Sequence, residues 1–398
     1  MTTRREVAAQ RTKGFGTSIF SEITALANTH GAVNLGQGFP DFEAPAFVKE
    51  AARRHIAEDR NQYAASPGLP RLRQALVADW RRRHGDAVPP YEPDAEVTVG
   101  CGATELLHDA ILGLVDPGDE VIVFEPAYDA YVPDILMAGG VPRFVPLAPP
   151  AFTFDPARLA AAFGPRTRVL ILNSPHNPTG KVFSPGELDV IARLCVEHDV
   201  SVISDEVYAE IYFGDAPPTP IATRPGMRER TVTIESMGKT FSVTGWKVGW
   251  AFAPPALTAA LRAVHQFVTF TNSAPFQEAL ADVLPRAASE GFYDDLRRSY
   301  RARRDRLAAV LRAAGYEALP VEGAYFLLVD LAGLWTGGDV SFCKRLVTEV
   351  GVAAIPTSVF YEVPAEAPQL ARFCFAKRDE TLAAAAERLV LASRRLIR

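Results

Sequence analysis

From about residue 95 onward, short β-branched and apolar runs alternate with longer alanine- and leucine-rich stretches. This alternation confines the chain to strands and helices layered around a largely parallel sheet, an α/β fold. Six strands are predicted, over residues 97–99, 121–124, 143–146, 169–172, 201–204 and 231–234. Residues 104–114 and 186–198 carry apolar side chains three and four positions apart, the spacing of amphipathic crossover helices. Residues 292–314 form an arginine-rich stretch that predicts a long basic helix ending at Gly315. Beyond it the pattern changes. Residues 318–398 read as a smaller α+β unit, with strands near 324–329 and 371–375 and helices near 340–350 and 380–396. The proline-rich stretch 147–156 is expected to be a loop within the larger unit, and no repeat or low-complexity linker interrupts the pattern.

At 398 residues and 48% hydrophobic content, the chain is long enough to bury a sizeable core. Its net charge of −5 supplies no general attraction to nucleic acid or to an anionic membrane. Cys101, Cys195, Cys343 and Cys374 lack paired spacing and the seven histidines lack ligand spacing, so neither a disulfide frame nor a metal centre is expected. The opening MTTRREVAAQRTKG has no apolar stretch of the signal-peptide kind, and no apolar run is long enough to span a bilayer. A cytoplasmic location is expected.

Lysine is scarce, seven against 35 arginines, yet Lys239 and Lys247 both fall within SMGKTFSVTGWKVGW. Keeping lysine there suggests that the amine itself is required, because a lysine can lose its proton when partly buried and an arginine cannot. Such an amine attacks carbonyls and forms Schiff bases, which points to pyridoxal phosphate. A lysine among Gly, Ser and Thr is also an ordinary loop cation, so other segments must decide.

In an open parallel sheet, ligands bind beyond the carboxyl ends of the strands. Gly102, Ala103 and Thr104 follow the first predicted strand, Tyr128 the second, Asn177 the fourth, Asp205 the fifth, and Ser236 with Lys239 the sixth. Each has a structural reading of its own: a glycine turn, an Asn-Pro turn, a helix cap, a packing tyrosine. One ligand explains them together. A phosphate dianion suits the helix start in CGATELLHDAIL, with Ser236 and Lys247 adding a hydroxyl and a charge. A protonated pyridine nitrogen needs a carboxylate, for which Asp205 is the candidate. Tyr208 and Asn177 suit the ring oxygen, and Tyr128 suits the ring face.

NLGQGFPDF, NSPHNPTGKVF, SDEVYAEI, SMGKTFSVTGWKVGW and ARFCFAKRDETL resemble, in order and spacing, motifs of the fold-type I, class I/II aminotransferases, and within them the kynurenine, glutamine and methionine aminotransferase group. The resemblance covers nearly the whole chain. It implies a large cofactor domain (46–305) with a mostly parallel seven-stranded sheet between helices, a small α+β domain (306–398), and an N-terminal segment (1–45) joining the latter. It further implies Lys239 as the Schiff-base lysine and proton shuttle, Asp205 on the pyridine nitrogen, Tyr208 and Asn177 on the ring oxygen, and Tyr128 stacked on the ring. Gly102, Ala103, Thr104, Ser236 and Lys247 would hold the phosphate; Lys247 replaces an arginine found in many class I relatives, which keeps the charge and gives up bidentate geometry. Arg372 matches the arginine that clamps the substrate α-carboxylate, Gly36 the segment covering the substrate, and Tyr63 a tyrosine lent to the neighbouring subunit's phosphate. A homodimer with shared active sites is therefore implied. Phe20 and Phe270 align with positions lining the side-chain pocket in that group, a core position being the alternative for each.

The expected reaction is ping-pong transamination from an α-amino acid to a 2-oxo acid. No second arginine is assignable to a distal carboxylate, so the expected donors are apolar, aromatic, methionine, glutamine or kynurenine, with N-succinyldiaminopimelate as an alternative. β-Elimination from cysteine S-conjugates would use the same scaffold. A dinucleotide-dependent oxidoreductase is suggested by VTVGCGATE, but that segment lacks the third glycine of the fingerprint.

Overall fold

In the computed structural model, which describes residues 7–85 and 88–392, the strands in chain order are β1 (Val33–Asn34), β2 (Val97–Gly100), β3 (Glu120–Glu125), β4 (Val141–Pro146), β5 (Thr167–Asn173), β6 (Ser201–Asp205), β7 (Thr231–Ser236), β8 (Gly249–Phe252), β9 (Phe326–Asp330), β10 (Val352–Ala353), β11 (Ile355–Pro356) and β12 (Leu370–Cys374). Seven of them form the large sheet, in the order β2-β8-β7-β6-β5-β3-β4. Within it only β8 runs antiparallel to its neighbours.

Helices cover both faces of this sheet, so the adjoining strands β3 and β5 are apolar on both sides over residues 121–124 and 169–172. Val121, Val123, Val169 and Ile171 pack with Leu106, Ala110 and Ile111 of the helix Gly102–Leu114. Their alternates Ile122, Phe124, Leu170 and Leu172 pack with Leu188 and Ile191 of the helix Pro185–Glu197. Each such side chain contributes about 1.5–3 kcal/mol by leaving water. Ser184 begins the second helix with a full capping box, reciprocated by Glu187.

Six of the seven strands coincide with predicted segments, and β8 was not predicted from the residues. It is reached from β7 through residues 237–248, which hold only the short helix Met237–Thr240 and a 3-10 turn at Thr244–Trp246, so the long helical crossover that sets off other strands is missing there. The reversal matters: pairing of Ser236 with Gly249 folds the intervening Lys239 and Lys247 back to the carboxyl end of β7.

The smaller unit holds the antiparallel sheet β11-β12-β9. The N-terminal helix Ile19–Thr29 leads into β1, which pairs in parallel with β10. Ile23, Ala27 and Leu35 share one core with Leu346, Val352, Ile355 and Phe373. The chain passes between the two cores along the helix Phe292–Ala313, whose Tyr293 packs in the large unit and whose Leu307 and Leu311 pack in the small one. The helix predicted over 340–350 is α-helical at Asp339–Arg345 and widens to π-helix at Leu346–Val350. The last helix is Asp379–Ala392, and predicted positions 393–396 lie outside the described residues. Among the described residues no helix is long and apolar enough to cross a membrane.

Candidate active site

A cleft of about 300 Å³ opens at the carboxyl ends of the parallel strands. Gly102, Ala103, Thr104, Tyr128, Asn177, Asp205, Tyr208, Ser236, Lys239, Lys247 and Phe20 all line it. Apart from Phe20, in the N-terminal helix, and Lys247, just before β8, these residues converge because each closely follows a strand of one sheet.

At one end of the cleft the helix Gly102–Leu114 begins without a side-chain cap, which leaves its first amides open toward the cavity. Lys247, itself in a left-handed conformation (φ 54°), brings its Nζ beside Gly102, where a Cβ would stand 3.2 Å from it. Gly249 has no such latitude: a Cβ there would lie 2.6 Å from the carbonyl carbon of Gly102 and 2.8 Å from the amide of Ala103. The turn is pinned from beneath by Glu105, which accepts from the backbone amide of Cys101. Glu105 also accepts from His265 Nδ1 at 2.7 Å. Burial opposes the charge on His265, but its contacts with Asp109 and Glu105 outweigh that and raise it to about 10.

On the floor, Asp205 is 4% exposed. Its Oδ2 accepts from the Tyr131 hydroxyl at 2.7 Å and its Oδ1 from the Val207 amide at 3.3 Å. Burial raises its pKa, opposed by those two donors and by the charge of Lys239. A buried carboxylate with only neutral hydrogen-bond partners is suited to receive a cationic N–H. Burial also lowers Lys239 to about 8, against the pull of Cys374 and Asp205 and with help from Arg372 and Lys247. Its Nζ stands 3.5 Å from the carbonyl of Gly38. Tyr128 is pushed up to about 12, chiefly by burial and then by Asp129.

Arg372 is 1% exposed. Its Nη1 donates to Asn177 Oδ1 at 2.8 Å and its Nη2 to the carbonyl of Gly36 at 2.9 Å. The guanidinium lies 4.1 Å from the ring centre of Phe326 and 5.1 Å from that of Phe20. Its Nε is buried without a protein partner. Phe20 lines the cleft and also packs against the core around Leu346 and Ile355. Gly36 meets Arg372 through its backbone carbonyl, and neither is among the residues lining the cleft, which Arg372 adjoins through Asn177, Phe20 and Phe326.

Tyr63 and Phe270 do not line this cleft. They meet edge to face on the surface, with ring centres 5.8 Å apart, and are 86% and 47% exposed. His176 is buried against Thr179 and held neutral, with its pKa lowered to about 3 by burial.

Sequence reasoning missed several participants. Tyr131 was legible in EPAYDAY as a second tyrosine three positions after Tyr128. Asn173 had no such signal, yet its Nδ2 donates to the carbonyl of Asp205 and its Oδ1 accepts from the amide of Asn177. Asp129, Thr244, Gln37, Gly38 and Phe39 also line the cleft.

The donor set fits pyridoxal phosphate: an open helix start with hydroxyls and an ammonium for a dianion, a buried carboxylate for a cationic ring nitrogen, and an amine of lowered basicity between them. The family model of aminotransferase class I and II matches residues 30–389. The chain is 46% identical over 399 residues to a probable N-succinyldiaminopimelate aminotransferase of Mycobacterium tuberculosis, covering 98% of this chain and 99% of that one. It is 40% identical over 408 residues to kynurenine–oxoglutarate transaminase 3 of Mus musculus, covering 95% and 89%. A crystal structure from Escherichia coli with a methionine aminotransferase function superposes with a TM-score of 0.92 at 43% identity, covering 97% of this chain and 99% of that one.

Proposed function

The chain belongs to the class I and II aminotransferases, and from that premise we propose that it moves the amino group of an apolar, aromatic, methionine, glutamine or kynurenine-type donor to a 2-oxo acid. Transamination with pyridoxal phosphate follows from the family. The donor class is supported by one observation: the cleft wall includes Phe20 and Phe326, which pack on Arg372 just behind the lining, together with Phe39, and among the described residues the lining itself offers no arginine for a distal carboxylate. The lining lysines, Lys239 and Lys247, are both taken up by the cofactor. The relation to the Mycobacterium tuberculosis relative supports N-succinyldiaminopimelate as a second reading.

The cofactor, when bound, supplies an aldehyde carbon and an electron-withdrawing ring. The residues of the chain do the rest. Arg372 orients the donor by its α-carboxylate, which aims the α-hydrogen at Lys239. Lys239, whose pKa burial lowers to about 8 and whose uncharged fraction therefore grows as pH rises toward 8, takes up that proton and returns it to the reacting face. Asp205, held by Tyr131 and Asn173, would keep a proton on the ring nitrogen, and Asn177 and Tyr208 would hold the ring oxygen. Gly102, Ala103, Thr104, Ser236 and Lys247 would hold the phosphate. Tyr128 would cover the ring.

We place the active site at a homodimer interface. Tyr63, Phe267, Val268 and Phe270 together expose an apolar surface, which supports a partner there. Tyr63 would reach the partner subunit's phosphate site and Phe270 its side-chain pocket. Free thiols at Cys101, Cys195, Cys343 and Cys374 support a reducing, cytoplasmic setting.

Adding an amino donor to the cofactor-loaded protein should bleach its visible absorbance, and a panel of donors should favour methionine and aromatic amino acids over aspartate. Indifference to every donor would end this reading. Lys239→Ala should lose turnover by a factor of about 10⁴ or more while still binding cofactor non-covalently.

A further inference from the structure

The carbonyls of residues 36–39, in NLGQGFPDF, are all held from the small domain. Gly36 accepts from Arg372 at 2.9 Å, Gln37 from Lys377 Nζ at 3.1 Å, Gly38 from the Tyr325 hydroxyl at 2.6 Å, and Phe39 from Lys377 Nζ at 2.9 Å. Lys377 is 2% exposed, and among the described residues no carboxylate pairs with it. A buried ammonium without an acid is costly, so carbonyl oxygens alone offset its lost hydration. Its Nζ spans two carbonyls on either side of Gly38 and stands 5.2 Å from the centre of the Phe39 ring. The clasp continues beyond it: Cys374 N donates to the carbonyl of Leu35 at 2.7 Å, and the Thr381 hydroxyl donates to Asp41 at 2.6 Å. Gln37, Gly38 and Phe39 in turn line the cleft.

We propose that Lys377 is a positioning residue that ties the strap 36–39 to the strand carrying Arg372, so that the carboxylate clamp and the side-chain wall of the substrate site are set as one body. The inference rests on the aminotransferase reading with Arg372 as clamp. Lys377 touches neither cofactor nor donor; it acts through the backbone it holds. A point donor on a flexible stem suits two carbonyls two residues apart, and methionine would fill the same space without holding either.

The test uses holoenzyme, titrated with L-methionine while the bleaching of the cofactor absorbance is followed. In Lys377→Met the donor concentration for half-bleaching should rise about tenfold or more, since a displacement on the order of 1 Å at a positioning contact can cost as much as about a hundredfold. The dissociation constant of the cofactor should stay within about twofold, because Lys377 contacts none of its ligands, and Lys377→Arg should recover most of the donor affinity. Should Lys377→Met fail to fold, Lys377→Gln, which keeps an N–H donor on a shorter stem, should show a rise of at least about threefold. A wild-type half-bleaching value in the variant that folds, or cofactor affinity lost in step with donor affinity, would overturn the proposal. A wild-type protein that no donor bleaches instead sinks the transaminase reading, and this inference with it.

Discussion

At the floor of the cleft, the chemistry turns on how far burial lowers one amine. The pKa of Lys239 is lowered from 10.5 to about 8, so in cofactor-free protein the uncharged, nucleophilic fraction grows as pH rises through 8 and is nearly complete above it. Recapture of added pyridoxal phosphate, followed by stopped-flow absorbance, should therefore accelerate about tenfold per pH unit below 8 and level off beyond. An acceleration that continues toward pH 10 would show an unperturbed lysine. At this scale the residues were well marked in the sequence, because lysine scarcity, an acidic strand end and an arginine in a recognisable motif are local signals. Tyr131, Asn173 and Lys377 were less visible: each acts by holding another group, and a hydrogen bond between residues 74 positions apart, as between Tyr131 and Asp205, leaves no pattern in either segment.

The site exists because of a reversal between β7 and β8 that places Gly249 flat against the start of the helix Gly102–Leu114. Gly249→Ala would drive a methyl into main-chain atoms at 2.6 and 2.8 Å, which cannot swing aside as a side chain would. Cofactor affinity, read by absorbance titration, should fall at least about tenfold, a loss of about 1.4 kcal/mol or more. Gly186→Ala, in the helix Pro185–Glu197 with open space around its Cβ, is the control; it should leave affinity unchanged and raise stability by about 0.5–1 kcal/mol. The six other strands of the large sheet were legible as short apolar or β-branched runs, most of them set off by a helix. β8 was not, because four residues reached through short helical turns carry no period. The two-residue strands β1 and β10 are defined only by their mutual pairing.

Across the whole molecule, the proposed dimer makes a prediction that no single subunit does. Lys239→Ala and Tyr63→Ala proteins should each be impaired alone. Refolded together, they should regain about a quarter of wild-type activity, since half of the randomly formed dimers are mixed and each mixed dimer holds one site with both native residues. No recovery on mixing, with dimers confirmed by sedimentation, would place Tyr63 outside the partner's site.

The sequence by itself determined the fold class and the strand ends whose residues converge on the cleft, because each is written in a short stretch through period, residue type or motif. Only the tertiary structure decided what lies against what: the Tyr131 hydroxyl on Asp205, Asn177 shared with Arg372, and four successive carbonyls of the strap held from the small domain. Those contacts join segments up to 340 residues apart, and packing the chain around two cores is what brings them within hydrogen-bond distance.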